Sequence, residues 1–126
     1  MAVHRQYINC IKQLSNGNII MTCSSDSTIK IISLLNYHII PTLKHDDDTV
    51  VDEIVERNKN QIISFAHGYN EGYIYIWEKK ENKIYKCIHK FIPYDYSIYM
   101  ILKFNSSKKA CLAYTFFYPS LLPPCL

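Results

Sequence analysis

Histidines, cysteines and carboxylates are where this 126-residue chain could do chemistry, and it carries five His, five Cys and eleven Asp plus Glu. Asp46-Asp47-Asp48, with Asp52 and Glu53, would suit a hard cation. The run lacks the central Gly and the closing Glu of a calcium-binding loop, so it reads as a solvated loop leading into a strand. His4 with Cys10 and Cys23, or His67 with Cys87, are zinc-ligand types, but no paired-Cys spacing accompanies them. The cysteines read instead as small buried hydrophobes. No nucleophile with an adjacent base, no carboxylate pair and no glycine-rich phosphate loop stands out, so the expectation is a non-enzymatic chain with no catalytic residue, no metal and no cofactor.

Charge narrows the partner only by exclusion. Lys plus Arg outnumber Asp plus Glu by 14 to 11, and the surplus is spread along the chain rather than gathered in a stripe, so nucleic acid is not expected. The length suits about one globular domain, and 48% hydrophobic with 20% charged residues is an ordinary globular balance. Five cysteines are an odd number at irregular spacing, and Met1-Ala2-Val3-His4-Arg5-Gln6 leads into no apolar signal core. An intracellular, cytoplasmic protein is expected, a nuclear location staying open. The longest apolar stretch, Ala110 to Tyr118, is broken by Pro119 and falls short of the ~20 residues of a spanning helix, so no membrane association is expected.

The elements that must position these residues are strands. Isoleucine (19) and tyrosine (11) are abundant and glycine (3) is scarce, a bias toward β-structure. Ile8 to Leu14 is followed by Ser15-Asn16-Gly17, a hairpin signal in which Asn and Gly both accept positive φ, and Ile19 to Cys23 resumes the pattern. The polar turn Ser24-Ser25-Asp26-Ser27 leads to a strand over Thr28 to Ser33, and Tyr37 to Leu43 follows with Pro41, which suits an outer edge. The same order recurs: strand Val50 to Glu56, turn Arg57 to Asn60, strand Gln61 to Ala66, loop His67 to Gly72, strand Tyr73 to Glu78, strand Ile84 to Lys90. Asn18-Ile19-Ile20 lies over Gln61-Ile62-Ile63 at an offset of 43, and Thr28 to Ile32 over Tyr73 to Trp77 at 45. A third copy starts with Ser97 to Phe104, turns at Asn105 to Lys109, continues over Ala110 to Tyr114 and then dissolves. One supersecondary unit is repeated.

With these residues in place, the sequence resembles the tryptophan-aspartate (WD) repeat family of β-propellers. The first unit carries the likeness most closely: His4, Ile8, Asn16-Gly17 before Asn18-Ile19-Ile20, then Thr22-Cys23-Ser24-Ser25-Asp26-Ser27-Thr28-Ile29-Lys30-Ile31. The second has His45 before Val50, Ser64 on its second strand and Trp77-Glu78. The resemblance implies an all-β fold of four-stranded antiparallel meander blades in a partial, open or truncated propeller. Repeat 1 would span 4–44, repeat 2 45–90 and a partial repeat 3 91–114, with an irregular Pro-containing tail over 115–126.

The resemblance also implies a hydrogen-bond chain in each blade through aspartate, histidine, a hydroxyl and tryptophan. Unit one supplies Asp26, His4 and Thr22 but has Ile32 where the indole belongs. Unit two supplies His45, Ser64 and Trp77 but has no aspartate, only Asn70 or Glu71 lying near in an enlarged turn. Two and a half blades fall short of the about 4 to 8 that close a ring. The chain is therefore expected to be a fragment of a longer propeller, a truncated product with a foreign tail, or a partner to chains that complete it.

Function follows by analogy with the family, whose members bind other macromolecules on the loops at one end of the blades. The expectation is a protein or peptide partner and a role as scaffold or substrate-recognition part of a larger assembly. Carried over position by position, the contact residues are Arg5, Gln6, Tyr7, Ser25, Asp47, Asp48, Tyr69 and Asn70, with Arg5, Tyr7 and Tyr69 foremost because Arg and Tyr are enriched at interface hot spots. The alternatives are the targeting propeller of an enzyme, a kinase or ubiquitin ligase, whose catalytic domain lies outside the chain, and a product without independent function. Tyr73, Tyr75 and Trp77 alternate on one strand face and are expected to pack between blades rather than stack on bases.

Overall fold

The computed structural model describes residues 3–69, 71–93 and 99. Every element in it is a strand: β1 Ile8–Gln13, β2 Ile19–Ser24, β3 Thr28–Ser33, β4 Ile39–Lys44, β5 Val50–Asn58, β6 Gln61–His67, β7 Gly72–Lys79 and β8 Tyr85–Phe91. They form two four-stranded antiparallel sheets in chain order, β1-β2-β3-β4 and β5-β6-β7-β8. The expected third-unit strands lie outside the described residues except for Tyr99, which is helical and not part of the strand expected over Ser97 to Phe104; Asn70 and the 115–126 tail also lie outside them.

Local chemistry accounts for the strand ends. At the first hairpin only Gly17 takes a positive φ, of 80°, while Asn16 Oδ1 accepts the Asn18 N–H at 3.0 Å. The Asn-Gly pair thus does not form the two-residue turn with positive φ at both positions; an Asx turn and one left-handed glycine do the work in a longer loop. Asn36 Oδ1 likewise accepts the His38 N–H at 3.0 Å and Tyr37 turns left-handed at φ 58°, so β4 begins at Ile39 rather than Tyr37. Arg57 and Asn58 belong to β5, with Asn58 opposite Gln61, which shortens the expected turn to Lys59-Asn60. The loop after β6 shrinks as well, because His67 pairs with Gly72.

The two sheets repeat one register. Ile20 faces Ile32 and Thr22 faces Lys30 in the first; Ile62 faces Trp77 and Ser64 faces Tyr75 in the second. Thr22 therefore matches Ser64, and the offset at the second strand is 42, not 43. The correction matters because a slip of one residue sends every side chain to the other face. Both first strands are also irregular at an equivalent place, between Ile8 and Cys10 and between Val51 and Glu53, so Asn9 and Asp52 occupy equivalent bulges; β5 has a second shift between Glu56 and Asn58.

Packing is front to back. Met21, Cys23, Ile29 and Ile31 of the first sheet share a core with Val51, Ile54, Ile62, Tyr75 and Trp77 of the second. The opposite face of the second sheet carries Ile63, Phe65, Ile74 and Ile76, at positions matching Met21, Cys23, Ile29 and Ile31, and Tyr99 packs there. The Tyr99 ring lies so close to Gly72 that a Cβ on that glycine would fall deep inside van der Waals contact. The first sheet's matching outer side bears Ile20, Thr22, Lys30 and Ile32, with Ile11 62% exposed beside them.

Candidate functional site

The loops before β1, between β2 and β3, between β4 and β5 and between β6 and β7 gather at one end of the sheets, since Ile8 pairs with Ser24, Thr28 with Lys44 and Val50 with His67. His4 enters this end nearly sealed from solvent. Its Nδ1 donates to Asp26 Oδ2 at 3.0 Å and its Nε2 stands 2.6 Å from Thr22 Oγ1, which donates to it. Asp26 also accepts the Arg5 N–H at 3.1 Å and the Thr28 N–H at 3.0 Å, with the Thr28 hydroxyl as a further donor. Burial alone would raise this carboxyl, but the Thr28, Arg5 and His4 donors outweigh it and hold it at about 2. With both nitrogens engaged, His4 is a brace and offers no free edge to a substrate.

The second sheet builds the other half of such a chain. His45 Nε2 lies 2.7 Å from Ser64 Oγ, and the Trp77 indole N–H donates to that same oxygen at 2.9 Å. The His45 ring stands edge-on to Tyr75, centroids 4.5 Å apart, and 5.1 Å from Trp77. Burial lowers the imidazole to about 4, and its Nδ1 has no hydrogen-bond partner among the described residues. Glu71 does not stand in for an aspartate; its carboxylate takes the Tyr73 hydroxyl instead. In the first sheet Ile32 holds the register of Trp77, so Thr22 has no indole donor there.

One cluster escapes sequence reasoning. Asp52 Oδ2 accepts the His67 Nδ1–H at 2.6 Å and the Tyr99 hydroxyl at 2.8 Å. The equivalent bulge residue Asn9 donates from Nδ2 to Ser25 Oγ at 3.2 Å and to the Val51 carbonyl at 2.9 Å. Both bulge residues thus bind at the end of their own second strand, Asp52 to the last residue of β6 and Asn9 to the residue just past β2, and also reach the chain that follows their sheet. Asp52 and His67 are visible in the sequence only as members of supposed metal sets, because the bulge that aims Asp52 leaves no mark on the alternation.

Those metal sets come apart in space. Asp46 pairs with Lys90, Asp47 with Lys44 at 3.5 Å, Glu53 with Lys12 at 3.6 Å, and Asp52 with His67. Thr22 and Cys23 point to opposite faces of β2, which puts the His4 ring and the two thiols of Cys10 and Cys23 on opposite sides of the sheet. Cys23 is buried and Cys10 half-buried, but Cys87 is exposed on β8, an outer strand with little to cover it, so the reading of every cysteine as buried fails there.

Of the expected contact residues, all but Asn70 are described, and they stand in the loops at this end. Tyr7 is 84% and Tyr69 93% exposed, and Arg5 and Asp47 are exposed beside them. Ser25 is half-buried, its N–H donating to the Tyr7 carbonyl at 3.0 Å. Arg5, Gln6 and Tyr7 line a hollow of about 490 Å³. Tyr75 and Trp77 are buried in the core between the sheets, with Tyr73 packed at its margin. Tyr and Arg are residue types enriched at interface hot spots. Among the described residues no helix is long and apolar enough to cross a membrane. No family model matches the chain, and no curated protein matches it.

Proposed function

We propose that the chain is a non-catalytic protein-interaction module of the WD-repeat β-propeller type, intracellular, and part of a scaffold or substrate-recognition assembly. The observation that carries this reading is the equivalence of two contacts. A histidine arriving before each sheet binds the hydroxyl at one register position of the second strand, His4 with Thr22 and His45 with Ser64. Those histidines brace the rim on which Arg5, Tyr7 and Tyr69 stand exposed. Two sheets fall short of a ring of about 4 to 8, so further repeats, in cis or from another subunit, complete it on this reading.

Panning the full chain against a random peptide library tests the rim. Selected peptides should lose binding to a variant carrying Arg5→Ala, Tyr7→Ala and Tyr69→Ala, and keep it when Lys80 and Asn82, at the other end of the sheets, become Ala. Peptides that ignore the rim substitutions, or a library that yields no binder, would count against the proposal.

A further inference from the structure

Cys10 and Cys23 stand directly opposite each other on β1 and β2, with their sulfur atoms 2.8 Å apart and both thiols free. Opposed residues of antiparallel strands have Cα atoms about 4.5–5.5 Å apart, inside the range of about 4.4–6.8 Å that a disulfide spans without backbone movement. The two differ in access. Cys23 is wholly buried in the core between the sheets, while Cys10 is half-exposed on an outer strand. The Cys23 S–H donates to Cys10, which favours a thiolate at Cys10 and lowers its titration; that bond and burial push Cys23 up. An accessible attacking thiol beside a sheltered resolving one is the arrangement that thiol–disulfide exchange requires.

We propose that Cys10 and Cys23 form a reversible dithiol–disulfide site, oxidised by low-molecular-weight disulfides of the glutathione class. The Cys10 thiolate attacks one sulfur of the oxidant, forming a mixed disulfide and releasing one small thiolate. Cys23 gives its proton to a departing thiolate and attacks the Cys10 sulfur, which expels the second small thiolate. Two protein thiols are oxidised to one disulfide, and the small disulfide is reduced to two thiols. The bridge ties the outer strand β1 to β2. Beside Cys10 are Asn9, bonded to the Val51 carbonyl, and Lys12, paired with Glu53, so the bridge also fastens the strand that joins the two sheets. Arg5 and Tyr7 lead directly into that strand, and the redox state of the pair sets how firmly they are held.

The test is to treat the reduced full chain with oxidised glutathione at neutral pH, quench with acid, alkylate the remaining thiols and map the peptides by mass spectrometry. The expected main product is a Cys10–Cys23 link with no glutathione retained on either residue, formed about tenfold faster in native buffer than in urea because the fold holds the sulfurs together. Cys23→Ser should hold glutathione on Cys10, since nothing is left to resolve it. Modification confined to Cys87, a bridge from Cys10 to any other cysteine, or equal rates in native buffer and urea would overturn the proposal. The mapping of the unmutated chain decides the matter even if the Ser variant does not fold.

Discussion

Trp77 and His45 share one hydroxyl: the indole N–H donates to Ser64 Oγ at 2.9 Å, and that oxygen lies 2.7 Å from His45 Nε2. All three residues are buried where the two sheets meet, so the hydroxyl joins the connection after β4 to the middle of the second sheet. Trp77→Phe removes the donor and should cost about 1–2 kcal/mol. Ser64→Ala leaves both rings unpaired and should cost about twice that. Urea unfolding midpoints measure both, and equal costs would show that the indole and imidazole bonds do not depend on the shared oxygen.

Gly72 leaves room that the Tyr99 ring occupies. Gly72→Ala should destabilise by about 1–3 kcal/mol through overpacking. The penalty should largely vanish when Tyr99 is Ala, because the clash needs both partners. A double-mutant cycle on unfolding free energies checks this, and additive costs would place the strain elsewhere.

Acid should weaken the fold in two stages, the first set by His45. Its folded-state value of about 4 lies below the ordinary 6.5, so between those values the unfolded chain binds the extra proton. Stability on this account is full above pH 6.5 and falls toward pH 4, by up to about 3 kcal/mol. His45→Gln should flatten the dependence of the unfolding midpoint across that window.

Asp26 sets the second stage. Its carboxyl is held at about 2 against an ordinary 3.8, so its contribution is present above pH 3.8 and is lost as the pH falls through about 2. Asp26→Asn should be less stable than the unmutated chain at pH 7, and the gap should close across that lower window. Thermal melts at stepped pH follow both curves, and a gap that stays constant would mean that the charge of Asp26 is not what matters.

Much of this architecture is legible in the residue pattern because alternation survives where a strand has one buried face. Thr28–Ser33 is bounded identically in sequence and structure, and most other strands differ by one or two residues where Asx turns or an extra rung move the end. The contacts of His4, Thr22 and Asp26 are legible only through the resemblance to the WD-repeat family, since His4 lies before β1 and nothing in the local pattern ties it to Thr22 and Asp26. The partnership of Asp52 with His67 and Tyr99 is not, because it depends on a bulge and on residues brought together from three separate segments. The one-residue error in the offset has a similar origin: loops of different length precede β2 and β6, and only the pairing with β3 and β7 fixes which side of the sheet each side chain takes.

Pro41 lies on β4, the last strand of its sheet, where it has no N–H to offer a newcomer. On the matching border of the second sheet, β8 carries Lys86 and Lys90. A chain so rich in isoleucine and tyrosine is a natural template for cross-β aggregation, and edge strands such as these, like β1 and β5 on the opposite borders, are where a foreign strand would dock. At β4 and β8 the proline and the lysines discourage such growth, so the burden of guarding the remaining borders falls on whatever lies beside β1 and β5.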